Sequence, residues 1–549
     1  MTDDIKRSSR RLQNRSFLYG VAAIAVYAGL VGIAPAVASA DSTASSSGVS
    51  GSAAESASGS TTDTGPSAGS GVSRRKTDDD AAKAIDTPAR GPERTELRRA
   101  AVRGSSEDND ADARVTRAAR VPASVTARES VVDKVAERAT DVVPTAVRTQ
   151  PAPARAVVTV PDAVEKTTPG PPQPLSPVAE LLETPARLVN AVLEALDFTS
   201  SPNSPTLPVS LAPINDAIFG AFRETERLLG LYQTPPPQPV VPTLTYTGPT
   251  TRLTPTVAQF LNASAAEYVL GATPGGMVPF TVNGFQMKAA NTFTGMAGTV
   301  WVTPENQIII AYQGTTGGSH LLFNPFIAIS QVIADLQVVF TSSTPPAFYD
   351  ALDFAERVLH EAALQGYSAE DVFVTGHSLG GWEAQFVAQQ IGLAGIGFEA
   401  PGINTIVPGN GADSMFVNIG TYGSSAPYMA TDLPGLQPFM PPYFPGGGIK
   451  PHFGPIVMVG DPAAMTPLYN ASQLWGDPIG SLIFMVDYLF NFFQYHLPGV
   501  QAYHLDVVPD PGVVLFLGTA RGPVHTGYGE LTIPELLAAA SADGILFLP

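Results

Sequence analysis

No cysteine occurs anywhere in the 549 residues. That absence excludes disulfides, a thiol nucleophile, thiolate metal ligands and a lipid-modified cysteine. Histidine is nearly as scarce, with seven in the chain, all after residue 319. No group of side chains has metal-ligand spacing, and neither a metal nor an organic cofactor is called for. Cations are few as well. From 241 to the end, five Lys or Arg stand against 21 Asp or Glu, a formal balance of −16. A nucleic acid is excluded as a partner of such a surface, because phosphate contacts need clustered positive charge. Strongly anionic membranes are disfavoured for the same reason, whereas neutral, apolar ligands are not.

Large apolar side chains are missing from a long early tract. DSTASSSGVSGSAAESASGSTTDTGPSAGSG, beginning at 41, leads into Arg-rich sequence and then into PAPARAVVTVPDAVEKTTPGPPQP. Such sequence buries too little apolar surface to offset the entropy of ordering it, so 41–175 is expected to be disordered. Ahead of it, KRSSRRLQNR supplies a positive segment and FLYGVAAIAVYAGLVGIAPAVASA an apolar one. The latter ends in a small-residue cleavage pattern at Ala38-Ser39-Ala40. Residues 1–40 therefore read as an export signal, with an uncleaved anchor as the alternative.

Two amphipathic helices flanked by linkers are predicted over 178–198 and 214–232, within a helical segment at 176–240. Beyond 241 strands alternate with helices. GTVWVTPENQIIIAYQG reads as two strands around a tight turn, and PPAFYDALDFAERVLHEAALQGY as a helix. DVFVTG, IGFEA, MFVNIG, IVMVG and VVLFLG read as further strands. This alternation predicts an α/β domain at 241–549, a mainly parallel sheet covered by helices on both faces.

Within that domain, the strand Val372 to Val374 runs into Gly376-His377-Ser378-Leu379-Gly380, and an apolar helix departs at once. A nucleophile elbow needs this context: a turn so sharp that Gly376 and Gly380 must lack side chains, with helix-start amides behind the serine. A second G-x-S-x-G match, GPSAG at 65–69, has neither strand nor helix around it. A serine needs a base. In the order serine, acid, histidine, the candidates are His452, His496, His504 and His525. His504 is preferred, because alternation through Val500, Ala502, His504 and Asp506 would end a segment at the sheet edge, and His496 is the alternate. For the acid, Asp432 is preferred, Asp461 follows another apolar strand, and Asp413 precedes its own. An oxyanion hole would combine the amides of Leu379 and Thr315, the latter after QIIIAYQG.

IIIAYQGT and VFVTGHSLGG, about 60 residues apart, together resemble the class 3, fungal-type lipases of the α/β-hydrolase superfamily. The resemblance covers 285–435 and extends loosely to 549. It implies an α/β-hydrolase fold and an exported serine esterase acting on lipids through an acyl-enzyme on Ser378. Gln313 stands where the family has arginine. Ser424-Ser425-Ala426-Pro427 stands where similar bacterial members carry Asp-Pro, so Asp432 would take over the acid's role. The family's lid falls on 319–340, a stretch that also reads as an ordinary buried helix. The aromatic run at 478–495 reads as core, since Asp487 argues against a membrane span. Other compatible activities are a phospholipase A1 or an esterase of short or cell-envelope esters. A different class is a catalytically inactive hydrolase fold that serves as a surface binding protein.

Overall fold

The computed structural model describes residues 169–195, 212–268, 271–315, 325–440, 448–509, 518–519 and 521–549. The expected export signal, nearly all of the expected disordered tract and most of VVLFLG lie outside the described residues.

Helices α1 (Pro177–Ala195), α2 (Ala212–Leu228) and α3 (Val257–Ala266) come first. α3 starts at a reciprocal cap, where Thr256 and Gln259 each satisfy the other's backbone amide. The short strands β1 (Val278–Pro279), β2 (Thr281–Val282), β3 (Phe285–Gln286) and β4 (Lys288–Ala290) lead into the hairpin β5 (Ala297–Val302) and β6 (Ile308–Tyr312). Next come α4 (Pro325–Phe340), α5 (Pro346–Leu364), β7 (Val372–His377), α6 (Leu379–Ile391), β8 (Ala394–Phe398) and β9 (Phe416–Thr421). The chain ends with β10 (Ile456–Val459), α7 (Thr466–Ser472), α8 (Pro478–Tyr495), α9 (Pro498–His504), α10 (Ile533–Ala542) and β11 (Leu546–Phe547).

The main sheet runs β1-β5-β6-β7-β8-β9-β10-β11, with β4 also on β5. β6 through β10 are parallel, and antiparallel partners flank them on either side. Strands buried on both faces read as continuous apolar runs, as IIIAY does. Ile308, Ile310 and Tyr312 enter one core, with Val358 of α5, Phe386 of α6 and Phe484 of α8. Ile309 and Ala311 enter the other, with Phe260 of α3, Leu505 just past α9 and Leu536 of α10. The molecule is thus an α/β fold with a mixed, mostly parallel sheet between two helical layers. Outside the sheet, Phe222 of α2 stacks on Phe490 of α8 with ring centroids 4.4 Å apart.

The segment around His504 differs from expectation. It is the helix α9, with Pro498 in its first turn, and not an alternating strand. Proline presets a helical φ at that position. Five consecutive residues, Pro498 to Ala502, are buried, which a strand with one exposed face does not give.

Candidate active site

Ser378 sits between β7 and α6 with φ 59° and ψ −122°. A non-glycine residue held there stores on the order of 1–3 kcal/mol of backbone strain. The flanking glycines are steric requirements. A Cβ on Gly376 would collide with the Gly380 carbonyl, and one on Gly380 with the Tyr312 carbonyl at the end of β6. Serine ordinarily caps a helix with its side chain, yet the Ser378 hydroxyl makes no cap bond. Its amide donates to the Phe398 carbonyl at 2.9 Å, tying the elbow to the end of β8.

The residue directly after that strand is Glu399. Six non-glycine residues have positive φ among the described residues, and four of them are Asn or Asp, which tolerate it. The other two are Ser378 and Glu399. Glu399 Oε2 lies 3.5 Å from Nδ1 of His496, which follows α8. Ser424 Oγ is 3.4 Å from the same nitrogen. The opposite nitrogen, Nε2, is buried without a hydrogen-bond partner. The imidazole stacks on Phe492, with centroids 4.0 Å apart. Burial pushes the Glu399 carboxyl up to about 8, against the opposing influence of the polar groups of Ser424, Thr421 and Gln501 around it, and neither of its oxygens has a hydrogen-bond partner. Burial holds His496 neutral, with its pKa down at about 3.

His377, inside the elbow motif, braces this histidine from behind. Its Nε2–H donates to the His496 carbonyl at 2.6 Å, and the Tyr268 hydroxyl donates to its Nδ1, also at 2.6 Å. Burial drives the pKa of His377 well down, so the ring is neutral. Its two contacts, one to an acceptor and one from a donor, fix the tautomer. The two histidine rings are 4.8 Å apart. Removing the Tyr268 hydroxyl would free the tautomer and loosen His496. A hydrogen bond of this kind is worth about 1 kcal/mol net, so Tyr268→Phe is expected to lower kcat by about fivefold with little change in KM. Steady-state kinetics on a soluble ester would check this, and an unaltered kcat would mean that the brace is only structural.

Ser378 opens onto an apolar cavity of about 140 Å³. One wall is α4, through Val332, Asp335, Leu336 and Val339, and the other is α8, through Met485, Tyr488, Leu489 and Phe492. The aromatic run 478–495 is therefore a cavity wall as well as core, since Phe484 faces inward. α4 is apolar on its outer side too, with Phe326 69% exposed and Ile329 and Ile333 each 58%. The expected lid stretch is thus a helix between the serine's cavity and solvent from Pro325 onward, while 319–324 lie outside the described residues. On the side of the elbow, β6 pairs with β7 through Tyr312 and Gly376. This brings Gln313, Gly314 and Thr315 beside the start of α6, where Leu379 lies. Gln313, in the place of the arginine, is buried and donates to the Glu267 carbonyl at 2.6 Å.

Ser378, Leu379, Thr315 and the elbow residues Gly376, His377 and Gly380 thus gather at the ends of β6 and β7. The preferred base and acid do not join them. His504 donates through Nδ1 to the Pro523 carbonyl at 2.8 Å and packs by Gly460, just past β10. Three strand spacings separate β10 from β7, or about 14 Å. Asp432 is engaged with His452: one oxygen accepts its amide at 2.6 Å and the other faces Nδ1 at 2.9 Å. Asp461 follows β10 and caps a short 3₁₀ turn by accepting from the Ala463 amide. Instead, the structure brings His496 to the ends of β7 and β8. Where the resemblance sets an acid it places Ser424, and a carboxyl comes from one strand nearer, at Glu399. No group of three His, Asp or Glu among the described residues has a metal-binding arrangement. Nor is any helix among them long and apolar enough to cross a membrane.

No protein-family model matches the chain, and no curated protein matches it either. Among solved structures, the chain is similar to the extracellular lipase LipA from Serratia marcescens, at 22% identity and a TM-score of 0.21. That likeness covers 29% of each chain, so less than a third of the length of LipA is spanned. Another is the M37 lipase, at 13% identity and a TM-score of 0.22, over 38% of this chain and 82% of that one. At such TM-scores neither likeness bears on what this chain does.

Proposed function

We propose that the protein is an exported serine hydrolase of the α/β-hydrolase kind that cleaves carboxylic esters, lipid esters foremost. The observation that carries this reading is the elbow. A strained serine with an uncapped hydroxyl opens onto an apolar cavity, and the ring of the preceding residue, His377, lies 4.8 Å from that of His496, which has one nitrogen without a partner and one carboxyl neighbour. Nε2 of His496 takes the proton of Ser378 as Oγ attacks the ester carbonyl. The amides of Leu379 and Thr315 receive the oxyanion. His496 then returns the proton to the departing alcohol, and water, activated by the same nitrogen, releases the acid from the acyl-serine. Glu399 orients the imidazole and, when ionised, stabilises the imidazolium. The 3.5 Å separation suits a resting site, since catalytic hydrogen bonds tighten on substrate binding. The apolar walls favour long acyl chains over short ones, and the doubly apolar α4 suits a substrate presented at a lipid–water interface. Export rests on the segment 1–40 and is checked by the N-terminal sequence of the protein recovered outside the cell.

Fluorophosphonate labelling tests the chemistry, because the probe reacts with a serine already activated by a base. We expect the label on the peptide containing Ser378 and none on Ser378→Ala. A folded protein that stays unlabelled, with and without detergent to open α4, would sink the hydrolase reading in favour of a binding protein.

A further inference from the structure

We infer that Asp335 makes this cavity selective for esters whose acyl chain carries a hydroxyl group close to the carbonyl, the hydroxyl donating to the carboxyl oxygen that the protein leaves unpaired. The inference rests on the ester-hydrolase reading of Ser378. Apart from Ser378, three lining side chains carry polar N or O atoms, Trp382, Asp335 and Tyr488, and the Trp382 indole N–H donates to the Gly402 carbonyl at 2.8 Å. The Tyr488 hydroxyl is spent on the Met429 sulfur. Asp335 is only half satisfied. Oδ2 accepts from the Thr315 hydroxyl at 2.7 Å, whereas Oδ1 is buried and has no partner.

A buried carboxyl oxygen left unpaired costs on the order of 1–3 kcal/mol, and a leucine could line the same wall at no such cost. Holding Thr315 does not require an acid either, since an amide oxygen accepts equally well. What remains unaccounted for is Oδ1. Its place follows from its neighbour: Thr315 belongs to the loop that offers an amide to the ester oxygen, and Asp335 is one hydrogen bond away. The free oxygen therefore stands near the first carbons of the acyl chain and not at its far end. Burial pushes the carboxyl up to about 7, so near neutrality it exists in both forms. A neutral hydroxyl suits both, while an ammonium group would bring a second charge into an apolar cavity. Sites built to hydrogen-bond a substrate hydroxyl discriminate strongly against analogues lacking it, because the protein's own polar atom is then left bare.

Two measurements on the full chain decide this. Trp382 lines the cavity, so its fluorescence reports binding to Ser378→Ala without turnover. Methyl 3-hydroxydecanoate is expected to bind at least about tenfold more tightly than methyl decanoate, and Asp335→Leu in the same background is expected to erase that ratio. In the active protein, the kcat/KM ratio of the matching p-nitrophenyl esters should favour the hydroxylated one by about 30-fold or more. It should fall toward unity in Asp335→Leu and drop in Asp335→Asn, which keeps an acceptor for Thr315. Equal binding of the two methyl esters, or a preference that survives both substitutions, would overturn the inference while leaving the hydrolase reading intact. Preferential binding by Ser378→Ala with no turnover of either ester by the wild type would do the reverse.

Discussion

Replacing His496 by alanine is expected to lower kcat/KM toward a p-nitrophenyl ester by about 10⁴-fold or more, the scale on which serine hydrolases fail without their base. The same change at His504 should leave kcat within about threefold of wild type and cost stability instead, on the order of 1–3 kcal/mol. The contrast follows from position. His496 contacts Glu399 at the end of β8, and its ring lies 4.8 Å from that of His377 at the end of β7. His504 belongs to α9, is almost fully buried, and has its Nδ1 committed to the Pro523 carbonyl. A base needs an unclaimed nitrogen on a neutral ring; burial keeps His496 neutral, and its Nε2 has no hydrogen-bond partner. The decisive measurement is kcat for the two variants side by side, with thermal unfolding to show that each is folded. Loss of turnover in His504→Ala alone would return the base to the sheet edge and dismantle the proposed constellation.

Much of the scaffold is legible in the sequence because its determinants are local. The β5–β6 hairpin, β7, α5, α6 and the strands β8 to β10 are short-range patterns of apolar spacing, turn residues and glycines. Ser378 belongs with them, since strand, elbow glycines and helix are contiguous in the chain. The partners of Ser378 are a matter of which loops meet, and that is set by sheet order. Glu399 carries a signal that sequence reading passes over: a carboxylate ending the apolar run IGFE, at the mouth of a buried parallel strand, where open α/β sheets put their chemistry. The resemblance points instead one strand on, where Ser424 stands in place of the acid. His504 misled through periodicity, because alternation over four residues cannot be told from one turn of helix once Pro498 has set the start. Asp432 was the one carboxylate between β9 and the next strand, but proximity in sequence said nothing of its engagement by His452.

Glu399 carries the second large effect. Glu399→Gln is expected to lower kcat by about 10³- to 10⁴-fold, as when a triad carboxylate becomes an amide that favours the wrong imidazole tautomer. Asp432→Asn should spare kcat and lower thermal stability, because His452 is buried with the backbone and both oxygens of Asp432 around it. The pH profile gives an independent reading. Burial pushes the Glu399 carboxyl from its usual 4.5 up to about 8, while His496 stays neutral above about 3. The ionised carboxylate is the form that stabilises the imidazolium, so kcat/KM in the wild type should climb with pH through about 8 and then level off. That limb should vanish in Glu399→Gln, leaving a low, flat profile. Stability moves in the opposite sense. Between 4.5 and about 8 the folded state holds a proton that the unfolded chain has released, so folding weakens as pH rises through this window. Glu267, also buried and raised to about 8, and Asp335, raised to about 7, contribute with the same sign. The difference in unfolding free energy between wild type and Glu399→Gln across that window therefore isolates Glu399. A wild-type profile already flat below pH 7 would mean that Glu399 is ionised in the resting site, with the imidazole as its charged or tightly bonded partner.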